Sequence, residues 1–181
     1  MIFKEKTVTL KDGRSVTLKS PEVSDASLLL EYIKGMSGET PFILRTPEDC
    51  TDTTEDEERF IQGNNENPYS LMISAYYGGR IIGNCNLKFN KRNKVAHKCE
   101  LAIGIRREFW NLGLGSAMMA ALEEAAKDHG CTIMTLLYIE GNERALRLYT
   151  KCGFTEFGRL PGGTRMPDGT YVSDVYMMKQ I

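Results

Sequence analysis

The sequence predicts a mixed α/β fold: one sheet of antiparallel and parallel strands with helices on both faces. Three observations predict it. Two strand-like runs flank Lys11-Asp12-Gly13-Arg14 and two longer ones flank Gly78-Gly79, and both pairs read as antiparallel hairpins. A single strand–helix–strand unit follows in the second half: Val95 to Ile105, a helix from Leu114, then Cys131 to Ile139. That order implies a right-handed crossover and locally parallel pairing. The 181 residues contain no internal repeat, linker or low-complexity tract, so one domain over 1–181 is expected, long enough to bury a core without staples.

In chain order, Thr7 to Leu10 and Ser15 to Lys19 form the first hairpin. Ser24 is placed to cap a helix with Leu28, Leu29, Tyr32 and Ile33 on its apolar face, ending at Gly35. Pro41 to Pro47 reads as irregular chain. A second helix starts at Thr54, with Glu57 completing a capping box and Phe60 and Ile61 inside; Glu55, Asp56, Glu57 and Glu58 read as a solvated first turn that complements the helix dipole. Tyr69 to Tyr77 and Arg80 to Phe89 make the second hairpin, and a turn follows at Asn90 to Asn93. The cations around it, Lys88, Lys91, Arg92, Lys94 and Lys98, read as a charged hairpin tip rather than an anion patch. Gly130 closes the crossover helix, Asn142 to Lys151 forms the last helix before Gly153, and Phe154 to Leu160 and Tyr171 to Lys179 finish the sheet around a Pro161 to Gly169 loop.

Charge excludes some partners. Lys plus Arg number 23 against 24 acids, a net charge of -1, which gives no electrostatic case for nucleic acid or an anionic membrane. No apolar run is long enough to span a bilayer, and Met1 to Lys6 lacks the apolar core of a signal peptide. Cys50, Cys85, Cys99, Cys131 and Cys152 are odd in number and scattered, which argues for reduced thiols in a cytoplasm and against a structural metal.

The chain is organised around Phe109-Trp110-Asn111-Leu112-Gly113-Leu114-Gly115-Ser116, which joins a strand-like run to a helix through two glycines spaced one apart. Leu114, Met118, Ala121, Leu122 and Ala125 then recur on one helical face. Glycines let the backbone approach a ligand, and the first helical turn offers free N–H groups at the positive end of the dipole, so phosphate is the natural guest. A P-loop is excluded because no Lys lies between Gly113 and Ser116. A dinucleotide fingerprint needs glycine where Met118 stands, although Glu140 falls about where a ribose-binding acid belongs, and the antiparallel start is wrong for a doubly wound domain. The third pattern, the acetyl-CoA turn Gln/Arg-x-x-Gly-x-Gly/Ala, is matched by Trp110 to Gly115 at both glycines and departs at its first position.

With these residues the sequence resembles the GNAT superfamily of N-acetyltransferases. A second segment, Asn142 to Phe154, is similar to the family's Asn-x-x-Ala-x-x-x-Tyr-x-x-x-Gly-Phe, and the resemblance runs from about Tyr76 to the C-terminus. It implies the GNAT-like acyl-CoA N-acyltransferase fold, a mostly antiparallel central sheet splayed between its fourth and fifth strands, which here would be Val95 to Ile105 and Cys131 to Ile139. It implies acetyl-CoA as co-substrate. The pantetheine arm would pair with backbone near Ile103, Gly104 and Ile105. The pyrophosphate would sit on the turn Leu112, Gly113, Leu114, Gly115 and Ser116, helped by Arg106, Arg107 or Asn111. Trp110 removes a side-chain partner for the phosphates that some members have, or packs instead on the adjoining strand.

Acetyl transfer from a thioester to an amine needs the amine neutral, the carbonyl polarised and the departing thiolate protonated; an alkylamine with a pKa near 10 must first lose a proton. By the resemblance Tyr149 is the leaving-group acid, against the alternative of a half-buried core aromatic with its hydroxyl satisfied elsewhere. Asn142 would bond the pantetheine or cap its helix. Glu100 is the base acting through water, or the polar face of its strand paired with Lys98 or a neighbouring cation. His97 and His129 are weaker candidates, and no cysteine falls in a motif, so direct attack is favoured over an acetyl-enzyme.

In the family resembled, the acceptor site is built by the first two helices, their loop and the last strands' loop, here Gly35 to Arg59 and Pro161 to Tyr171. Acids at Glu39, Glu48, Asp49 and Asp52 would favour a cationic amine such as a polyamine, or are simply solvated. The tail from Glu156 to Asp174 is similar to that of the branch with ribosomal-protein alanine and spermidine N-acetyltransferases, so a small-molecule amine and a protein N-terminus both stay open, as does a homodimer. Two other classes compete: a non-catalytic acetyl-CoA-binding sensor or partner subunit, which Tyr149 opposes, and a nucleotide-dependent oxidoreductase, which Met118 opposes.

Overall fold

A computed structural model describes residues Met1–Ile181. Its eight strands form one sheet in the order β1-β2-β3-β4-β5-β6-β8-β7. The first hairpin pairs β1 (Lys6–Thr9) with β2 (Ser15–Lys19), and the second pairs β3 (Ser70–Tyr77) with β4 (Arg80–Phe89). β5 (Lys98–Ile105), α3 (Leu114–Asp128) and β6 (Ile133–Ile139) are the strand–helix–strand unit, and α4 (Glu143–Lys151), β7 (Thr155–Arg165) and β8 (Tyr171–Gln180) complete the chain. Every neighbouring pair is antiparallel except β5 and β6. The predicted mixed sheet is the fold observed.

That parallel pair is short. It holds only Lys98↔Ile133, Cys99↔Met134 and Glu100↔Thr135, after which Leu101 to Ile105 pair with β4 alone and Leu136 to Ile139 with β8 alone. The sheet is therefore splayed, between its fifth and sixth strands in this chain.

Alternation along the strands sends side chains to both faces. On one face Leu71, Ile73, Leu87 and Leu101 pack with Leu114, Met118 and Leu122 of α3 and with Tyr149 and Phe154. On the other, Met72 and Ile81 pack with Leu29, Tyr32 and Met36 of α1 (Ala26–Ser37) and Ile61 of α2 (Thr54–Glu66). All five residues of the predicted α3 face are buried. Phe60, expected inside α2, is exposed. No helix is long and apolar enough to cross a membrane.

Several boundaries moved for identifiable reasons. Ser24 does not cap α1: Glu22 and Asp25 form a reciprocal capping box around a single turn, Val23–Asp25, that leads into the helix. The helix continues through Gly35 to Ser37, and the glycine leaves room for Arg106: a Cβ at Gly35 would sit 1.8 Å from Arg106 Nη1. The second capping box is one residue earlier than Thr54/Glu57, with Thr53 Oγ1 accepting from Asp56 N at 3.2 Å and Asp56 Oδ2 accepting from Thr53 N at 2.9 Å. Glu57 is then turned inward and buried rather than solvated. Val95 belongs to a turn, Asn93–Val95, so β5 starts at Lys98. β7 runs through Pro161 to Arg165, with a register shift between Leu160 and Thr164, because an edge strand tolerates proline at an irregularity.

Candidate functional site

Gly113 precedes α3 at φ 93°, ψ -8°, and Asn111 is the one non-glycine residue at positive φ, 63°. This left-handed step turns the chain so sharply that the backbone N–H groups of Asn111 through Ser116 find no acceptor within the chain; the first intrahelical bond is Ala117 N to Gly113 O at 3.1 Å. Gly115 permits a close approach of α4, since a Cβ there would lie 3.0 Å from Leu148 Cδ2. Over the turn lies a cavity of about 260 Å³ lined by Lys11, Asn111, Gly113, Ser116, Arg144, Arg147 and Lys151, with no acid. Free amides, a helix N-terminus and four cations make an anion site. Their chemistry fits a pyrophosphate.

Trp110 helps to build that site. Its Nε1 donates to Ile105 O at 2.7 Å, and the Arg144 guanidinium stacks 3.9 Å from its ring centroid while donating to Asn111 Oδ1 at 3.2 Å. The expectation that Trp110 packs on the adjoining strand holds, and the packed ring also positions a cation from α4.

The anion cavity shares Ile105, Trp110, Arg144, Arg147 and Leu148 with a larger one of about 410 Å³ in the splay. Ile103, Gly104 and Ile105 form one wall, Asn142, Ala145 and Tyr149 another, and Met36 with Thr40 to Ile43 a third. Tyr149 is 6% exposed, flanked by Tyr138 and Phe154 at ring-centroid distances of 6.2 Å. Burial, and secondarily Cys152, pushes its phenol up to about 12. Its hydroxyl has no hydrogen-bond partner within the chain, and its ring is part of the main core cluster while also lining this cavity. Asn142 accepts at Oδ1 from Ala145 N at 3.2 Å, capping α4, and also lines the cavity.

Other predicted residues lie elsewhere. Arg106 does not face the anion cavity; its Nη1 donates to Glu39 Oε1 at 3.0 Å and its Nη2 to Glu31 O at 3.3 Å. Arg107 lines the larger cavity, but its backbone N–H and guanidinium are both held by Glu39. Glu100 is exposed, lies opposite Lys88 and Thr135 where the sheet is still closed, and lines neither cavity. His129 stacks on Phe89 at 3.8 Å at the end of α3, and the His97 carbonyl accepts from Thr132 and Ile133. Three of the four loop acids are already engaged: Glu39 as above, Asp49 with Thr46, and Asp52 with Arg45 at 2.8 Å.

Sequence reading missed the four cations of the anion site. Arg144, Arg147 and Lys151 repeat at three- and four-residue steps along one face of α4, a readable signal. Lys11 gave none, because its hairpin meets the glycine turn only through the fold, where Lys11 N donates to Leu112 O at 3.0 Å.

A family model described as the acetyltransferase (GNAT) family matches residues 40–154. The chain belongs to the GNAT acetyltransferase family. Among solved structures it is similar to a GNAT-family acetyltransferase of Streptococcus pneumoniae, 28% identical, covering 92% of this chain and 99% of that one with a TM-score of 0.85. It is also similar in fold to the ribosomal-protein-alanine N-acetyltransferase of Brucella melitensis, at 20% identity, 91% and 99% coverage and a TM-score of 0.77. A third likeness is to RimL, a ribosomal L7/L12 α-N-protein acetyltransferase in complex with coenzyme A, at 15% identity, 100% and 98% coverage and a TM-score of 0.78.

Proposed function

We propose that this protein is an N-acetyltransferase that uses acetyl-CoA and acetylates a primary amine by direct attack within a ternary complex. The observation that carries the proposal is the continuous groove from the free amides of Asn111 to Ser116, along the unpaired edge of β5, to the buried Tyr149 hydroxyl. A diphosphate satisfies the amides and meets Lys11, Arg144, Arg147 and Lys151. The pantetheine amides take the place of a strand beside Ile103 to Ile105. Asn142 lies at the same wall.

The coenzyme supplies an activated thioester; the chain supplies position and hydrogen bonds. Tyr149 donates a hydrogen bond to the sulfur as negative charge develops there. Its phenol, held near 12, is a weaker acid than a thiol, which has a pKa of about 8.5, so the hydroxyl stabilises the departing thiolate and keeps its own proton. The amine proton leaves to water. Glu100 enters this scheme only through water, because four residues, about 13 Å of extended strand, separate it from Gly104.

The acceptor is a small-molecule amine or a protein N-terminus, and the five free cysteines support a cytoplasmic setting. Melting the protein with acetyl-CoA, CoA and NAD tests the coenzyme assignment: a shift with the CoA species only is expected, and a shift with NAD alone would overturn it. Free CoA released across an amine panel reads turnover.

A further inference from the structure

The wedge between β5 and β6 opens towards their C-terminal ends, because the two parallel strands pair only from Lys98 to Glu100. A short stretch of chain just after α1 spans that open end. Glu39 holds the residues that follow β5, through Arg106 Nη1 at 3.0 Å and the Arg107 backbone N–H at 2.6 Å. Three residues on, the Phe42 ring lies against Gly141, which follows β6: a Cβ at Gly141 would stand 3.7 Å from Phe42 Cε1 and 3.8 Å from Cζ. Gly141 has φ 91°, a conformation that disfavours a side chain, so the ring rests on bare backbone.

Packing of the protein on itself does not account for this ring. Ile43, its neighbour, joins the smaller core with Leu29 and Met36, whereas Phe42 joins neither core. Phe42 is half-buried and lines the cavity that holds Tyr149. Across that cavity, Ile103 to Ile105 pair with β4 on one side and with no residue of β6 on the other. An arm bound between them meets hydrogen-bonding backbone on one edge and apolar cover on the other. Pantetheine, with amides set among methylenes and geminal methyls, has the matching chemistry. Phe42 does not line the anion cavity over the glycine turn, so the nucleotide end of the coenzyme lies beyond its reach.

Resting on the assignment of acetyl-CoA, we propose that Phe42 is a positioning residue for the coenzyme: its ring covers the pantetheine arm, holds it against Ile103 to Ile105 and so keeps the thioester beside Tyr149. The arm is covered along the open end of the wedge for as long as the ring stays on Gly141. Departure of the coenzyme therefore waits for the ring to lift.

The test compares CoA with ADP, which has the diphosphate and lacks the arm, on the full chain. Stopped flow follows CoA dissociation and calorimetry the ADP affinity, in the wild type, Phe42→Ala, Phe42→Leu and Leu44→Ala. Phe42→Ala is expected to speed CoA dissociation by about tenfold, the low end of what an aromatic ring in full contact contributes, and to leave ADP affinity unchanged. Phe42→Leu should restore most of the wild-type rate. Leu44→Ala, at a side chain 72% exposed in the same loop, should change nothing. A melt of the free Phe42→Ala chain that matches the wild type verifies the fold. An unchanged CoA off-rate in Phe42→Ala, an equal loss for ADP, or an equal effect from Leu44→Ala would each overturn the proposal. The two readings fail separately: a wild type that does not bind CoA sinks the acetyl-CoA assignment, whereas CoA that binds and leaves every variant at one rate sinks only the role of Phe42.

Discussion

Glu39 Oε1 accepts a hydrogen bond from Arg106 Nη1 at 3.0 Å, and the other oxygen of the same carboxylate accepts from the backbone N–H of Arg107 at 2.6 Å. One side chain thus joins the end of α1 to the end of β5, and both flank the larger cavity. The Arg106 guanidinium reaches this position by lying against Gly35, where a Cβ would be 1.8 Å from Nη1. Glu39→Ala is expected to destabilise the fold by roughly 1–2 kcal/mol in urea denaturation, since a partly buried charged hydrogen bond is lost. Gly35→Ala must push aside the guanidinium, the far end of a flexible side chain, so its cost is at most the lost Glu39 and Glu31 contacts, about 1–2 kcal/mol, offset by the roughly 1 kcal/mol by which alanine is the better helix former. A loss well above about 2 kcal/mol for Gly35→Ala would show that Arg106 cannot swing away.

Arg144 and Trp110 form one unit, with the guanidinium 3.9 Å from the ring centroid. Arg144→Ala and Trp110→Ala should each weaken acetyl-CoA about tenfold, the range of one charge-assisted hydrogen bond. The double variant should be weaker by less than the sum, because removing either partner already displaces the cation. Full additivity by calorimetry would mean that the two act separately.

Tyr149→Phe should bind acetyl-CoA as the wild type does and lose kcat by about a hundredfold, the lower end of what one hydrogen-bond donor to developing negative charge contributes. With the phenol held near 12, no alkaline limb assignable to Tyr149 should enter the rate profile below about pH 10. Wild-type turnover by Tyr149→Phe would remove it from the chemistry.

Glu57 has its carboxyl raised by burial, so the folded state binds its proton more tightly than the unfolded chain does. The stability linked to that proton is fully present below the unfolded pKa of about 4.3 and is lost as pH rises through the higher folded value. Glu57→Gln should therefore melt higher than the wild type at pH 7, and the gap should close on acidification. A gap that widens towards low pH would contradict a raised carboxyl.

Much of the architecture was legible because local chemistry dictated it. Asp12-Gly13 and Gly78-Gly79 force tight turns, the α3 face repeats at helical spacing, and glycines at 113 and 115 announce a backbone that must come close to something. The motif from Asn142 to Phe154 was equally readable, and it put Tyr149 and Asn142 at the cavity where the structure holds them. Capping was legible in kind but not in register, since Thr53 and Thr54 offer the same hydroxyl and only packing against α1 and the sheet selects which way Glu57 turns.

The sequence by itself determined the order of elements, the glycine turn and the family motifs, because each depends on residues close together in the chain. Only the tertiary structure decided which charges are free. Arg106 and Asp52 are neutralised by partners far along the chain or across a loop, Lys11 arrives at the cavity over the glycine turn from the first hairpin, and Glu57 is left unpaired beneath α1. Whether an ionised side chain is spent or available depends on long-range contacts and on burial, and neither is written in local spacing.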